Sequence, residues 1–143
     1  MKRRDDDGQV TVLIVGFAIV LVLAVGLVVD ASAAYLQRQG LDNVADGAAL
    51  AGADEIRGTA VYDGGLKGER APLDARAAHA AVGAYLREIG AYGDYPALTY
   101  VVHVRDNAVV VNVSAGLDLP ITVGSLSETR VGSRGSAVVD VQE

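Results

Sequence analysis

The first pattern in the chain is a long apolar run near the amino terminus. Residues 10–29 contain no charged side chain, and Thr11 is the one polar residue among Val, Leu, Ile, Ala, Phe and Gly. A helix rises 1.5 Å per residue, so this run is about 30 Å long as a helix, which matches the hydrocarbon core of a bilayer. The pattern predicts a transmembrane helix over 10–29.

A cleaved secretory signal is the alternative for this run. Ala31-Ser32-Ala33 has the small residues of a signal-peptidase site, but signal cores are only about 7–15 residues long, so length favours a retained anchor. The Gly8-Gln9 junction also resembles the cleavage site of prepilin-type leaders, although Leu13 stands where many pilins have Glu. Cleavage after Gly8, cleavage after Ala33 and a retained leader are three alternatives.

Basic residues near the run predict its orientation. Lys2, Arg3 and Arg4 precede it, and the first base after it is Arg38. Because Lys and Arg close to a span stay on the cytoplasmic side, we expect a cytoplasmic leader at 1–9 and a single-pass helix in the cell membrane. The extracytoplasmic part is then divided into an amphipathic helix at 30–57 and an exported α+β domain at 58–143.

A helical pattern of a different kind follows the run. Apolar residues recur at steps of three and four on one stripe, and they are Leu41, Val44, Ala45, Ala48, Gly52 and Ile56. The membrane helix is therefore expected to continue into an amphipathic one, with Gly40, Gly47 and Gly52 as candidate bends. Ala45, Ala49 and Ala53 would let another backbone approach closely. Two uses of this stripe are open, packing against a second helix in an assembly and covering the chain's own sheet, and the two are compatible if they use different sides of the helix.

A second helix is predicted after a connector. The stretch 58–74 is rich in glycine and charge, which is typical of an exposed linker. Asp74 is a candidate N-cap, and the helix is expected to end at Gly90. Its apolar positions are Ala78, Val82, Tyr85 and Ile89, whereas His79 falls on the opposite side with Arg76, Gly83 and Arg87.

The last part of the chain predicts an antiparallel sheet. Tyr100–Arg105 and Ala108–Val113 flank Asp106-Asn107, a pair that favours a two-residue hairpin turn. The expected pairs are Val104 with Val109, Val102 with Val111, and Tyr100 with Val113. A turn at 132–135 and a final strand at 137–141 complete the sheet. The expected fold class is α+β and pilin-like: a transmembrane helix continuing into an amphipathic helix, a second helix, and three to four antiparallel strands.

Composition excludes several kinds of chemistry. The chain has no Cys, which removes disulfides, thiolate metal sites and cysteine nucleophiles. His79 and His103 are its only histidines, and neither has partners at the spacing of a metal or catalytic site. We therefore expect no catalytic residue, no metal, no cofactor and no enzymatic activity. The net charge is −6, and 15 acids against 9 bases follow residue 29, so nucleic acid is not an expected partner.

Three sequence blocks together carry a family resemblance. They are Gly8-Gln9 before the span, Val29-Asp30-Ala31 at its end, and the segment Leu41–Ala53. In this order they resemble the N-terminal region of TadE/TadG-like proteins of the Tad (Flp) pilus system. The residues of the last block that carry the resemblance are Asn43, Ala45, Asp46, Ala48, Ala49, Leu50 and Ala51, whereas Asp42, Val44 and Gly47 depart from the family pattern.

The resemblance implies a minor pilin or a pilus-assembly component that acts by helix-mediated anchoring and assembly. Asp30, Leu41 and the carrying residues would then form the assembly helix. The implied partners are the membrane, other pilus or secretion-system proteins, and further copies of the chain. The alternative is a free-standing, membrane-tethered binding or adhesion module. Tyr92, Tyr95 and Tyr100 are candidates for a binding platform, whereas packing at the base of the hairpin is the more common use of such residues.

Overall fold

The computed structural model describes residues 6–62, 70–105, 107–120 and 129–139. The elements in chain order are α1 (Asp6–Tyr62), α2 (Arg70–Glu88), the one-turn α3 (Ala91–Asp94), β1 (Thr99–Arg105), β2 (Ala108–Gly116) and β3 (Arg130–Val138). The strands form one antiparallel sheet in the order β1-β2-β3. The predicted α+β class is confirmed, with three strands in the described part of the chain.

Helix α1 is one unbroken helix of 57 residues, which is about 85 Å at 1.5 Å per residue. The predicted continuation of the apolar helix into the amphipathic one is confirmed. The glycines predicted as bends lie at points of close packing, and a bend at any of them stays a prediction. A Cβ at Gly40 would overlap the hydroxyl of Tyr95, and a Cβ at Gly47 would overlap that of Tyr85. The missing side chains therefore make room for tyrosines, at a helix-propensity cost of about 1 kcal/mol each.

The apolar stripe of α1 forms the centre of the core. Ala45 and Ala49 are fully buried and Ala53 is 1% exposed. Helix α1 packs on the sheet and on α2, and Ala45 lies directly against Gly135 of β3. Of the two uses left open for this stripe, the structure shows that it covers the chain's own sheet. Its alanines are consequently not available to a helix of another protein.

The connection between α1 and α2 is shorter than predicted. Helix α1 continues through Tyr62 and α2 begins at Arg70, so both ends of the predicted linker are helical, and residues 63–69 lie outside the described part of the chain. Asp74 is the fifth residue of α2, so its prediction as N-cap was wrong. Pro72 is in the first turn, where its missing N–H removes no helical hydrogen bond.

The buried side of α2 also differs from the prediction in the last turn of the helix. Ala78, Val82 and Leu86 are fully buried, whereas Ile89 is 39% exposed. Helix α2 ends at Glu88, so Ile89 no longer follows the helical period. Gly90 then has a positive φ of 72°, a conformation that glycine adopts without steric cost.

The predicted hairpin is confirmed residue by residue. Val104 pairs with Val109, Val102 with Val111, and Tyr100 with Val113. The β2 members of these pairs are buried and their β1 partners are half-buried, as expected for a sheet with one covered face. Asn107 has a positive φ of 63°, which Asn tolerates in tight turns.

Strand β3 begins earlier than predicted. The residues predicted as a turn, 132–135, lie inside β3, which pairs with β2 from Arg130 opposite Gly116 to Val138 opposite Ala108. Gly135 is buried, and a Cβ there would overlap backbone atoms of Ala45 and Asp46. This glycine therefore marks close helix–sheet packing and not a turn. The end of the predicted strand, 140–141, lies outside the described residues.

Candidate functional site

The amino-terminal half of α1 presents bare apolar side chains. The large apolar residues between 10 and 29 have exposed fractions between 41% for Val29 and 74% for Val12. By length and composition this helix can cross a membrane, and none of its most apolar window is buried in the chain. A contiguous apolar surface of this size marks contact with lipid or with another protein. The segment is thus compatible with single-pass membrane anchoring.

A short neck of α1 separates the apolar half from the folded head. Tyr35 and Leu36 are 68% and 64% exposed, and Tyr is a residue typical of membrane–water interfaces. Gln37 then joins helix and sheet: its Nε2 donates to the carbonyl of Gly116 at 2.7 Å, and its Oε1 accepts from the N–H of Asp118 at 3.0 Å. The packed head therefore begins at Gln37, about 12 Å along the helix from Val29.

The residues that carry the family resemblance divide into two groups. The buried group consists of Leu41, Ala45, Ala48 and Ala49. The exposed group is Asn43, Asp46 and Leu50, and Leu50 is 58% exposed. Because positions 43, 46 and 50 follow one another at steps of three and four, they lie on one side of the helix. We call this exposed group the bare face of α1.

The other predicted positions on α1 lie at its start, at the end of the span and beside the bare face. Gly8 and Gln9 are helical, and Gln9 is exposed. Asp30 and Ala51 are half-buried. Processing after Gly8 stays a prediction, as does the role of Asp30 in assembly.

The two histidines lie on different elements. His79, on α2, is exposed, and its ring centroid is 5.0 Å from that of Tyr100. Tyr100 also covers Gly83, where a Cβ would be 2.7 Å from the tyrosine hydroxyl, so Gly83 is buried and not on the exposed side predicted for it. His103 lies on the outer side of β1. In the described part of the chain, no cluster of three or more His, Asp or Glu side chains can hold a metal ion.

The candidate tyrosines are mainly packing residues. Tyr95 and Tyr100 are half-buried against the core, whereas Tyr92 is 47% exposed. Burial, and to a smaller degree the negative charge of Asp94, raises the pKa of Tyr95 above its usual 10.0. Tyr92 is therefore the member of this group that remains most accessible.

A basic surface on the outer side of the sheet was not predicted from the sequence. We define this basic face by His103, Arg105, Arg130 and Arg134, all of which are exposed. None of the three strands contains an acidic residue. Alternation places all four side chains on the side of the sheet that faces away from α1. Arg130 and Arg134 are four residues apart, so in a continuous strand they lie on the same side of the sheet. The prediction of a turn at 132–135 broke that strand and concealed the pattern.

Arg130 is fixed on this face by several hydrogen bonds. Its Nη2 donates to the carbonyl of Ala97 at 3.0 Å, to Thr99 Oγ1 at 2.9 Å and to Ser114 Oγ at 3.2 Å. The guanidinium therefore reaches across β2 to the start of β1. Arg105 and Arg134 form no ion pair with any described residue, and together with His103, Val110 and Asn112 they line a shallow groove of about 220 Å³.

Comparison with known families identifies the long helix. Residues 8–55 match the Tad family model, described as "Putative Flp pilus-assembly TadE/G-like". No curated protein and no solved structure matches the chain. The matched segment contains the apolar span, the part of α1 that enters the core, and all three residues of the bare face. The resemblance indicated by the sequence is thus confirmed: residues 8–55, about a third of the chain, are similar to the TadE/TadG-like proteins of the Tad (Flp) pilus-assembly system.

Proposed function

We propose that this chain is a minor pilin or pilus-assembly component of a Tad/Flp-type appendage, acting by physical association of α1. The family match over residues 8–55 supports the proposal. The observation that carries it is the division of a single helix into a bare apolar half and a half packed inside the head. A continuous helix joins the two halves, so the head is tied to whatever holds the apolar span.

The composition of the span supports stable insertion into lipid. Of the 20 residues between 10 and 29, 15 are Val, Leu, Ile or Phe. Each of these favours membrane insertion by about 0.3–0.6 kcal/mol, so together they contribute on the order of 4–9 kcal/mol. With the leader at 1–9 in the cytoplasm and the span at 10–29 in the membrane, the extension at 30–57 and the α+β domain at 58–143 both lie outside the cytoplasm. The extension supplies core residues to that domain, so the two fold as one unit.

The bare face supports an assembly role for the remaining side of α1. Leu50 is 58% exposed on a helix whose other large apolar side chains at this level, Leu41, Val44 and Ile56, are buried. The bare face continues the helix axis of the span, so a neighbouring helix in the membrane would reach it without changing direction. We therefore place the contact with other pilus proteins at Asn43, Asp46 and Leu50, and not at the buried alanines.

A substitution on the bare face tests this function. Leu50→Arg is expected to remove co-purification with Tad pilus components, because it adds a charge at the contact while touching no core residue. Ala80→Arg on the exposed side of α2 is the matched control and should leave co-purification intact. Membrane extraction and the near-ultraviolet circular dichroism of the tyrosines check that both variants insert and fold.

The free-standing binding module is the rival that this experiment separates. It requires an anchored head but no helix partner, so it expects Leu50→Arg and Ala80→Arg to behave alike. Equal co-purification of the two variants with pilus components would therefore overturn the contact on the bare face. A head that is anchored but never co-purifies with pilus components, even in the unmodified chain, would favour the rival function.

A further inference from the structure

We infer that the basic face of the sheet docks onto the bare face of α1 in a second copy of this chain. The inference deepens the proposed function and rests on it, because membrane anchoring is what aligns the copies. The contact is heterologous, since the sheet of one copy meets the helix of the next. Such contacts repeat along a row of molecules and generate rings or open filaments.

Charge complementarity points to this occupant. The basic face carries three arginines and no acid from any strand. Helix α1 carries the opposite charge: from Asp30 to Arg57 it has five acidic and two basic residues. Asp42, Asp46 and Asp54 are exposed along it, but the carboxylate of Asp42 accepts a hydrogen bond from the Ser133 hydroxyl of the chain's own β3. Arg57 partly neutralises this stretch through its 3.2 Å contact with Asp54, which leaves Asp46 as the acid at the centre of the bare face.

The two surfaces lie at the same height along the helix axis. Gly116 of β2 is bound to Gln37, and Val109 of β2 is next to Gly52. Between these points β2 advances seven residues, about 23 Å, and α1 advances 15 residues, about 22 Å. The strands therefore run along α1. Because Arg130 pairs with Gly116 and Arg105 pairs with Ala108, the basic face extends from the level of Gln37 to that of Gly52.

Parallel anchoring in one membrane brings the two surfaces of neighbouring copies to the same height. Two copies held by the same span in the same membrane have their heads at equal distances from the bilayer. The arginines of one copy then face Asp46 and Asp54 of the next with no axial shift. The two surfaces also point in opposite directions, because the sheet covers the buried stripe of α1 with its inner side and leaves its basic side outermost. An anionic bilayer surface would instead meet the basic face only at its Arg130 end.

Disulfide trapping in proteoliposomes of the full chain tests the contact, since the chain has no Cys of its own. Ser136→Cys places a thiol on the basic side of β3, and Leu50→Cys places one on the bare face, both at exposed positions. Mixed in one bilayer, the two variants are expected to form a heterodisulfide. A mixture of Ser136→Cys with Ala80→Cys on α2 is the matched control and should form little.

Charge reversal then tests the cause. Arg105→Glu with Arg134→Glu on the Ser136→Cys chain should lower the heterodisulfide yield about tenfold, as expected from the loss of several exposed opposite-charge contacts. Asp46→Arg on the Leu50→Cys chain should restore part of the yield. Arg76→Glu with Arg87→Glu, the same charge change on exposed positions of α2, should have no effect. Raising the salt concentration should weaken the contact of the unmodified faces.

Other results would overturn the inference. Equal yields in the mixture and its control, or a preference for disulfides between two Ser136→Cys chains, would exclude a heterologous contact at this surface. If no heterodisulfide forms and the basic face binds the proteoliposome surface only when anionic lipid is present, the basic face would be assigned to the bilayer. If the heterodisulfide is absent while the chain still co-purifies with pilus components, the inference fails and the proposed function stands. A heterodisulfide in a chain that never co-purifies with pilus components would reject the pilus role of the proposed function, but not the membrane anchoring on which the inference rests.

Discussion

Two glycines of the same strand should respond in opposite ways to the same substitution. At Gly135 an added Cβ would overlap three backbone atoms of α1, the carbonyl carbon and oxygen of Ala45 and the nitrogen of Asp46. Helical backbone cannot rotate away as the tip of a side chain can, so sheet and helix must separate by on the order of 1 Å. A gap of that size forfeits about a quarter to a half of the dispersion energy of the facing atoms.

At Gly132 the same Cβ would meet only ordinary contacts, 3.6 Å from the carbonyl oxygen of Val113 and 3.8 Å from Ser114 Cβ. Gly132→Ala should therefore stabilise the head by about 0.4–1 kcal/mol, because alanine has less freedom in the unfolded chain. Gly135→Ala should destabilise it by about 3 kcal/mol, at the upper end of the range for overpacked cores. That loss is large beside the roughly 5–10 kcal/mol expected for a head of this size.

Urea unfolding of the full chain in detergent measures this difference. The chain has no Trp and six Tyr, and Tyr85, Tyr95 and Tyr100 pack against the core. Near-ultraviolet circular dichroism of tyrosine therefore reports on the head even while the span stays helical in the micelle. Free energies of unfolding of Gly132→Ala and Gly135→Ala that agree within about 0.5 kcal/mol would refute the close approach of β3 to α1.

Three further predictions concern the core, the tyrosines and the span. Leu86→Ala should cost about 2–5 kcal/mol in the same urea titration, because Leu86 is fully buried, while Ile89→Ala should cost less than about 1 kcal/mol at its 39% exposed position; similar losses would contradict the end of α2 at Glu88. Because the folded pKa of Tyr95 is raised above its unfolded value, the unfolded chain releases this proton first, so stability should fall as pH rises above about 10. Tyr95→Phe should flatten this decline, as pH-dependent melting would show, and an unchanged slope would contradict the burial of the phenol. Leu21→Arg should weaken insertion by about 3–4 kcal/mol and leave the span marginally inserted, which carbonate extraction would detect as partial release; full retention would argue against a simple lipid-facing helix.

Local signals in the sequence predicted the hairpin and the helix stripe. The alternation of valines fixes which side of β1 and β2 is buried, and the short Asp106-Asn107 connection fixes the register, so no distant contact is needed. The stripe of α1 was visible for a similar reason, because steps of three and four place Leu41, Val44 and Ala48 on one side whatever packs there.

Non-local contacts decided the features that were not predicted. Gly135 is typical of a turn when the sequence is taken alone, and only the approach of Ala45 from α1 explains it within a strand. The basic face needed the pairing of β3 with β2, because Arg105 and Arg134 are far apart in the sequence and become neighbours across the sheet. The alanines of α1 suited either an internal or an external partner, and their burial against β3 settles which.

Accessibility of single cysteines in spheroplasts tests most directly whether α1 anchors an exported head. Ser136→Cys places a thiol on the exposed side of the sheet, and Lys2→Cys places one in the leader, in a chain that has no other thiol. A membrane-impermeant maleimide should label Ser136→Cys in the membrane fraction of intact spheroplasts, and should label Lys2→Cys only after permeabilisation. Labelling of Lys2→Cys alone, or recovery of the chain in the soluble fraction, would contradict the account.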